Sequence, residues 1–404
     1  MDRTETNNDP SLEPVVGGPR ALLELALLFL RLGATAFGGP AAHVALFEHE
    51  FVRRRRWLSR EKLLDLIGAV NLIPGPNSVE LAIHVGYLRA GWPGLVVAGV
   101  CFILPAMLMV TAIAWAYVRF GALPQLTGVL YGVKPVVIAV MLQALWRLGR
   151  TAIKTKFLAV LGIVAFALNF LHVDVLALLL GAGAIAGLKR GLGPDRKRHF
   201  RALAIMLLVV CVMLALVQLS ALARASGPVD FGLQPLLWYF LKVGFVLYGS
   251  GYVLLAFLQS DLVERWHWLT PTQLLDATAV GQVTPGPLFT TATFIGYLKG
   301  GLPGALVATF GIFFPAFVFI AMSGPLVPRL RASAIAGALL DGVNVASLAL
   351  MAAVTVQLVQ TAVVDYTTAA LALGSAVALV GFRVNSAWPI LGGAAIGLLV
   401  FARY

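Results

Sequence analysis

Long apolar runs separated by short polar stretches set the pattern of the chain. Charge-free stretches at 94–118, 202–223 and 302–328 are each long enough for a helix to cross a bilayer, which takes about 20 residues. Others carry embedded charges: 20–38 with Glu24 and Arg31, 120–146 with Lys134, 234–258 with Lys242, and 332–362 with Asp341. Shorter apolar segments lie at 157–171, 173–188, 366–382 and 384–402. Two more, 62–88 and 272–298, are interrupted by Pro-Gly-Pro. Runs of this length predict an all-α integral membrane protein of about 13 membrane segments.

The pattern occurs twice. Trp57-Leu58-Ser59 recurs as Trp268-Leu269-Thr270, Asp65 as Asp276, and Pro74-Gly75-Pro76 as Pro285-Gly286-Pro287, all 211 positions apart. After a one-residue slip, Gly86-Tyr87-Leu88-Arg89 recurs as Gly296-Tyr297-Leu298-Lys299, and Pro105-Ala106 as Pro315-Ala316, now 210 apart. Phe37-Gly38-Gly39 matches Tyr248-Gly249-Ser250. The chain therefore reads as a tail (1–19), a first repeat (20–190), a basic linker with an extra membrane helix (191–231) and a second repeat (232–404). Duplicated membrane units with helix-breaking residues at matched positions are a transporter signature.

Composition narrows the class. The chain is 60% hydrophobic and 12% charged, against about 45–50% and about 25% for soluble domains. With a mean hydropathy of +0.90, this excludes a cytosolic enzyme, a secreted domain and a disordered protein. Cys101 and Cys211 both sit in apolar runs, so neither a disulfide framework nor a thiolate metal cluster is expected. The tail carries Asp2, Glu5, Asp9 and Glu13 and lacks the basic start of a signal peptide. The net charge is +12, but the basic residues fall between apolar runs, which points to cytoplasmic loops rather than to nucleic acid.

Those loops pose a topological question. Basic residues cluster at 53–62, 147–156 and 189–201, and the positive-inside rule wants all three in the cytoplasm. Simple alternation puts the first and second on opposite faces. A re-entrant hairpin bent at Pro74-Gly75-Pro76 would reconcile them, and an extra crossing at 202–223 would invert the second repeat. The charges alone leave both points open.

Candidate chemistry centres on the breaks. Proline inside a helix removes a backbone hydrogen bond, and freed backbone groups in lipid need protein, water or ligand as partners. A new half-helix can start at Pro76 or Pro287, and its N–H groups favour an anion. Asn77 and Ser78 stand there as donors, with Thr290 and Thr291 as their substitutes in the second repeat. Gly38-Gly39-Pro40 makes a similar break. Glu80 lies beside this site as a candidate proton carrier, and His43, of the residue type that ordinarily titrates near neutral pH, is a second candidate for coupling. Glu50, Asp65, Asp261 and Asp276 are expected at the membrane interface, compensating Arg53–Arg56. Lys134 and Asp341, a base in one half and an acid in the other, could form an ion pair.

Phe37-Gly38-Gly39-Pro40 followed by His43, Glu50, Trp57-Leu58 and Pro74-Gly75-Pro76 resembles the chromate ion transporter family, and the second copy resembles its long-chain, two-domain members. The resemblance implies efflux of chromate across the bacterial inner membrane, driven by the ion gradient, with the two halves in opposite orientations. The second half departs from the first: Gly251 replaces Pro40, and Leu288-Phe289 replaces Asn77-Ser78. Arg31 and Lys242 occupy equivalent intramembrane positions 211 apart. Two cations converging from two halves would suit a tetrahedral dianion. Sulfate has the same shape and charge and is the alternative substrate. No nucleotide-binding loop, zinc-hydrolase motif or nucleophile elbow is present, so neither an enzyme nor a cofactor is expected. Protons and the bilayer are the other expected partners, and a homodimer is a further expectation.

Overall fold

The computed structural model describes residues 18–37, 39–121, 123–191, 229–248, 251, 253–331, 334–382 and 384–402. The expected extra helix at 202–223 lies outside them, as do Gly38, Gly249 and Ser250. Helices follow in one order twice. The first series is α1 (Pro19–Thr35), α2 (Gly39–Phe47), α3 (Arg60–Val70), α4 (Asn77–Phe120), α5 (Pro124–Ala152), α6 (Lys156–Phe170) and α7 (Val175–Gly191). The second is α8 (Leu233–Val246), α9 (Val253–Phe257), α10 (Pro271–Val283), α11 (Thr291–Arg331), α12 (Ala334–Ala362), α13 (Tyr366–Val380) and α14 (Ala387–Phe401). No strand occurs among the described residues. Among the described residues, four helical stretches are long and apolar enough to cross a membrane: Asn77–Phe120, Gln125–Ala152, Leu288–Ser323 and Ile335–Ala362.

The repeated motifs have local causes. α2 and α9 each widen into a π-helical turn, at Glu48–Arg54 and Leu258–Arg265. Each turn ends near a residue with positive φ, Arg56 at 52° and His267 at 53°. Trp57 then stacks on Phe51, with ring centroids 5.8 Å apart. Ser59 and Thr270 are N-caps: their hydroxyls accept from the Lys62 and Gln273 backbone N–H groups at 3.1 Å each. The Trp-Leu-Ser/Thr pattern is thus an anchor followed by a helix start.

α4 is two limbs rather than one rod. Ala90 and Gly91 leave helical geometry, and Gly91 has φ 61°, a conformation only glycine adopts cheaply. Gly300 and Gly301 break α11 in the same way, with φ 59° at Gly301. Pro93 restarts the second limb of α4. Arg89, at the end of the first limb, lies over the Trp57 ring at 4.9 Å from its centroid. Trp57 precedes α3, so α3 and the first limb of α4 form a hairpin that turns at Pro74-Gly75-Pro76 and returns to its starting end. In the second half, the Phe231 ring touches Trp268 at a centroid distance of 5.2 Å and also lies against Gly300, which closes an equivalent hairpin. α3 has 11 residues, about 16 Å at ~1.5 Å per residue, half of a bilayer core of about 30 Å.

α5 and α12 form the centre and run antiparallel. Tyr131 near the start of α5 donates to Asp365 beyond the end of α12 at 2.6 Å. Lys154 beyond the end of α5 pairs with Asp341 near the start of α12 at 2.7 Å. The peripheral pairs are exchanged between halves: α6 and α7 pack on α12, and α13 and α14 pack on α5. Small residues permit close backbone approach at these seams, as where Gly132 of α5 meets Gly393 of α14 and Gly342 of α12 meets Ala182 of α7. These directions gather the basic segments at one end of the bundle. α4 and α5 carry the chain from the Arg53–Arg56 and Arg89 end to the other and back to Arg147, Arg150 and Lys154. Lys189 at the end of α7 lies 3.7 Å from the centroid of the Phe157 ring at the start of α6, at that same end.

Candidate functional site

The two Pro-Gly-Pro turns are the tips of the hairpins, and each is packed into the opposite half. Gly75 has φ 138° and lies beside Ala316 of α11; Gly286 has φ 102° and lies beside Ala106 of α4. The Gly286 N–H also donates to the Ala36 carbonyl at 2.9 Å. His43 Nε2 lies 3.0 Å from the same carbonyl. A carbonyl only accepts, so Nε2 carries the proton, and Nδ1 is left buried without a partner.

Between the tips and the central helices lies a cavity of about 490 Å³, room for a small anion and its water at about 30 Å³ per water molecule. His43, Asn71, Pro76, Asn77 and Ser78 face it from the first half. Gln282, Pro287, Leu288 and Phe289 face it from the second. Asn77 Nδ2 donates to Asn71 Oδ1 at 2.5 Å, bridging the first tip. Gln143, Arg147, Thr151 and Lys154 run up one wall on α5, and Asp341, Asn344 and Ser347 up the other on α12. Lys154 is 59% exposed at this wall, and Arg147 is exposed. The mouth of the cavity therefore lies at the basic end, and its floor is formed by the two helix breaks.

Of the residues singled out from sequence, His43, Pro76, Asn77, Ser78 and Pro287 meet at this cavity. Pro74, Gly75, Pro285 and Gly286 stand behind its floor. Gly39 and Pro40 begin α2. Thr290 and Thr291 are buried, and their hydroxyls donate to the Pro287 and Leu288 carbonyls at 2.9 and 2.8 Å, so they are not available as donors to an anion. Arg31 and Lys242 lie elsewhere. Arg31 binds Glu50, and Lys242 Nζ lies 3.4 Å from Asp261. Glu50 and Asp261 are buried rather than interfacial; Glu50 does gather Arg54 and Arg55.

Glu80 is wholly buried one turn into α4, beside Gly75, with neither carboxylate oxygen hydrogen-bonded. Asp276, expected at the interface, is 1% exposed. Its Oδ1 pairs with Lys134 at 3.0 Å, and its Oδ2 accepts from Tyr117 Oη at 2.9 Å. Lys134 and Asp341 are thus both ion-paired, but to Asp276 and Lys154 rather than to each other.

Sequence reasoning missed Gln143 and Arg147 as site residues, because Arg147 was counted as part of a basic loop. The available signal was a polar stripe at helical spacing, Gln143, Arg147, Thr151 and Lys154, on an otherwise apolar helix.

Comparison with known proteins places this architecture. The family pattern described as "Chromate transporter" matches residues 23–188 and again 235–398. The chromate transport protein of Cupriavidus metallidurans is 33% identical over 391 residues, covering 94% of this chain and 93% of that one. The chromate transport protein of Pseudomonas aeruginosa is 30% identical over 402 residues, covering 95% and 93%. An uncharacterised transporter of Bacillus subtilis is 28% identical over 168 residues, 41% of this chain but 94% of its own. No solved structure matches the chain significantly. A helical, multi-pass membrane architecture with the family pattern present twice, and relatives of this extent, show that the chain belongs to the chromate transporter family.

Proposed function

We propose that the protein is a secondary transporter that exports chromate across the bacterial inner membrane and so confers chromate resistance. The observation that carries this reading is the cavity itself: its floor is two broken-helix tips, one from each half, and its mouth lies at the basic end. The positive-inside rule assigns that end to the cytoplasm, so the cavity faces the compartment from which chromate must be collected. The antiparallel α5 and α12, equivalent in the two repeats, support an inverted repeat. The returning hairpins support re-entrant segments, and the shorter apolar helices support a total of about 13 membrane segments with the extra helix at 202–223. The chain carries out transport and not catalysis, and the two repeats act as its two functional domains.

In this reading Arg147 draws the anion in, and Asn71, Asn77, Ser78 and the N–H groups at the start of α4 receive it. The tip residues Pro74, Gly75, Pro285 and Gly286 hold the breaks open. Arg31 and Lys242 fix the helix geometry through their acids. Glu80 and His43 are the proton-coupling groups: protonated His43 Nδ1 becomes a donor, and protonated Glu80 loses a charge that repels the anion. The electrical part of the gradient acts directly, since each charge is worth about 2.3 kcal/mol per 100 mV and an inside-negative potential expels a dianion. The donors would equally receive sulfate, and a sulfate or other small-anion carrier is the second reading.

The test is chromate uptake into everted membrane vesicles, with and without an imposed gradient and with excess sulfate. Gradient-driven uptake that sulfate does not abolish is the expected result. Uptake abolished by the excess sulfate moves the assignment to sulfate, and absence of uptake under every gradient overturns the chromate assignment.

A further inference from the structure

The two halves share an architecture but not a conformation. In the second half α10 packs against α5 and α12, and α9 packs against α12. Among the described residues, their counterparts α3 and α2 make no comparable packing against α12 or α5, and the cavity occupies that gap. Gln143, Ser347 and His43 line the cavity. Gln143 is partly exposed there, whereas its counterpart in the other repeat, Ala353, is 0% exposed; Val137 and Leu254 are 0% exposed against 4% for Ser347 and 1% for His43. One side of the molecule is therefore an open cleft, and the equivalent side is a closed seam.

The closed seam holds a charge that the open cleft lacks. Asn344 stands in the cavity wall, and its counterpart on α5 is Lys134. The Lys134 side chain is 17% exposed and pairs with the 2%-exposed Asp276 on α10. Tyr117, from the end of α4, bonds the other carboxylate oxygen. Among the described residues, the charged or titratable groups facing Asp276 are these two, from α5 and α4. Asp65, the counterpart of Asp276 on α3, is exposed. The pair thus joins the second hairpin to the central helix.

We propose that Lys134, Asp276 and Tyr117 form the latch of the closed side, and that Lys134 becomes an anion-facing cation once the halves exchange conformations, in the position Asn344 holds now. This rests on the transport reading. When α10 withdraws from α5, Asp276 leaves with it and Lys134 stays on the wall of the newly opened cleft. A small inorganic anion in that cleft and Asp276 compete for one ammonium group. The outer cleft recloses only after the anion has gone, because closing on it would leave either the lysine or the carboxylate buried without its partner. The two repeats differ here by one charge, so the two clefts are unequal by design of the sequence.

The test reads accessibility and uses no chromate, so its outcome is independent of the substrate assignment. In full-length protein with Cys101 and Cys211 changed to Ser, a reporter is introduced by Gln143→Cys or by Ala353→Cys. Each is challenged with a membrane-impermeant methanethiosulfonate in everted and right-side-out vesicles. With the latch intact, the Gln143→Cys reporter reacts from the cytoplasmic face and the Ala353→Cys reporter is protected from the outer face. Adding Lys134→Asn or Asp276→Asn raises outer-face labelling of the Ala353→Cys reporter about ten-fold and lowers cytoplasmic labelling of the Gln143→Cys reporter, as a shift between two states requires. Unchanged protection at position 353 overturns the proposal. Increases at both positions together also overturn it, because they report loosened packing. Should Asp276→Asn fail to reach the membrane, Lys134→Asn decides alone, since it only copies the residue that the other repeat already carries.

Discussion

The guanidinium of Arg31 on α1 is bound to the carboxylate of Glu50 in the π-helical turn. Lys242 and Asp261 repeat the relationship in the second half. In both pairs the acid is buried and the base is about half exposed, at 49% for Arg31 and 44% for Lys242. Glu50 also accepts from Arg54 at 3.1 Å. Removing the acid strands several cations, whereas removing one base leaves the acid another partner. Breaking a buried pair costs about 3–5 kcal/mol. Glu50→Gln is therefore expected to lower the amount of monodisperse protein extracted from membranes. Arg31→Gln keeps both that amount and chromate uptake; loss of uptake at a normal protein level would return Arg31 to the translocation path.

Arg147 has no carboxylate within ion-pair distance among the described residues and stands in the cavity wall. A hydrogen bond to a charged group is worth about 1.5–3 kcal/mol, so Arg147→Gln should raise the chromate KM roughly ten- to hundred-fold. Arg147→Lys, which keeps charge but not the planar fork, should fall between. Vesicle uptake over a concentration series checks this, and an unchanged KM in both variants removes Arg147 from the site.

Glu80 makes no hydrogen bond that Gln would break. With Glu80→Gln the charge beside the first tip is gone at every pH. Uptake driven by a membrane potential should persist, and its response to a pH gradient should disappear. Uptake measured separately with a potassium-diffusion potential and with an acid jump resolves the two components. A Glu80→Gln protein that still responds to the acid jump assigns coupling to another group.

Two glycines with positive φ should differ sharply. A Cβ at Gly91 meets nothing within 4 Å, whereas at Gly286 it would lie 2.6 Å from the Ala106 Cβ. Gly91→Ala should cost only the backbone strain of φ 61° and ψ −147°, about 1–3 kcal/mol. Gly286→Ala must also push apart the second tip and α4, and should abolish the folded state or the transport. Thermal stability in detergent, followed by size-exclusion recovery, separates the two.

Much of this was legible in the residues. The duplicated Trp-Leu-Ser/Thr and Pro-Gly-Pro motifs announced two equivalent units, and proline and glycine chemistry located their breaks. Whether the broken segments returned or crossed was not legible, because loop charge reports the side of a loop and not the path between loops. The contact of Arg89 with Trp57 brings the two ends of the first hairpin together. The cation in the cavity wall was not legible for a related reason. An arginine inside an apolar run looks exceptional, as Arg31 does, until the distant acid that matches it is visible. Arg147 looked ordinary because it sits among other basic residues, and its relation to the tips depends on α5 packing beside both hairpins. Asp276 was assigned to the interface by analogy with its exposed counterpart Asp65, and only the asymmetry between the halves buries it.

The exchange of peripheral helices bears on how the chain can be divided. α6 and α7 belong to the first repeat in sequence but clasp α12, while α13 and α14 clasp α5 from the second repeat. Each half therefore lends a pair of helices to the other and lacks its own covering when alone. A chain cut between residues 191 and 229 would yield two fragments that need each other as scaffolds, each recovering its fold only when both are made in the same membrane.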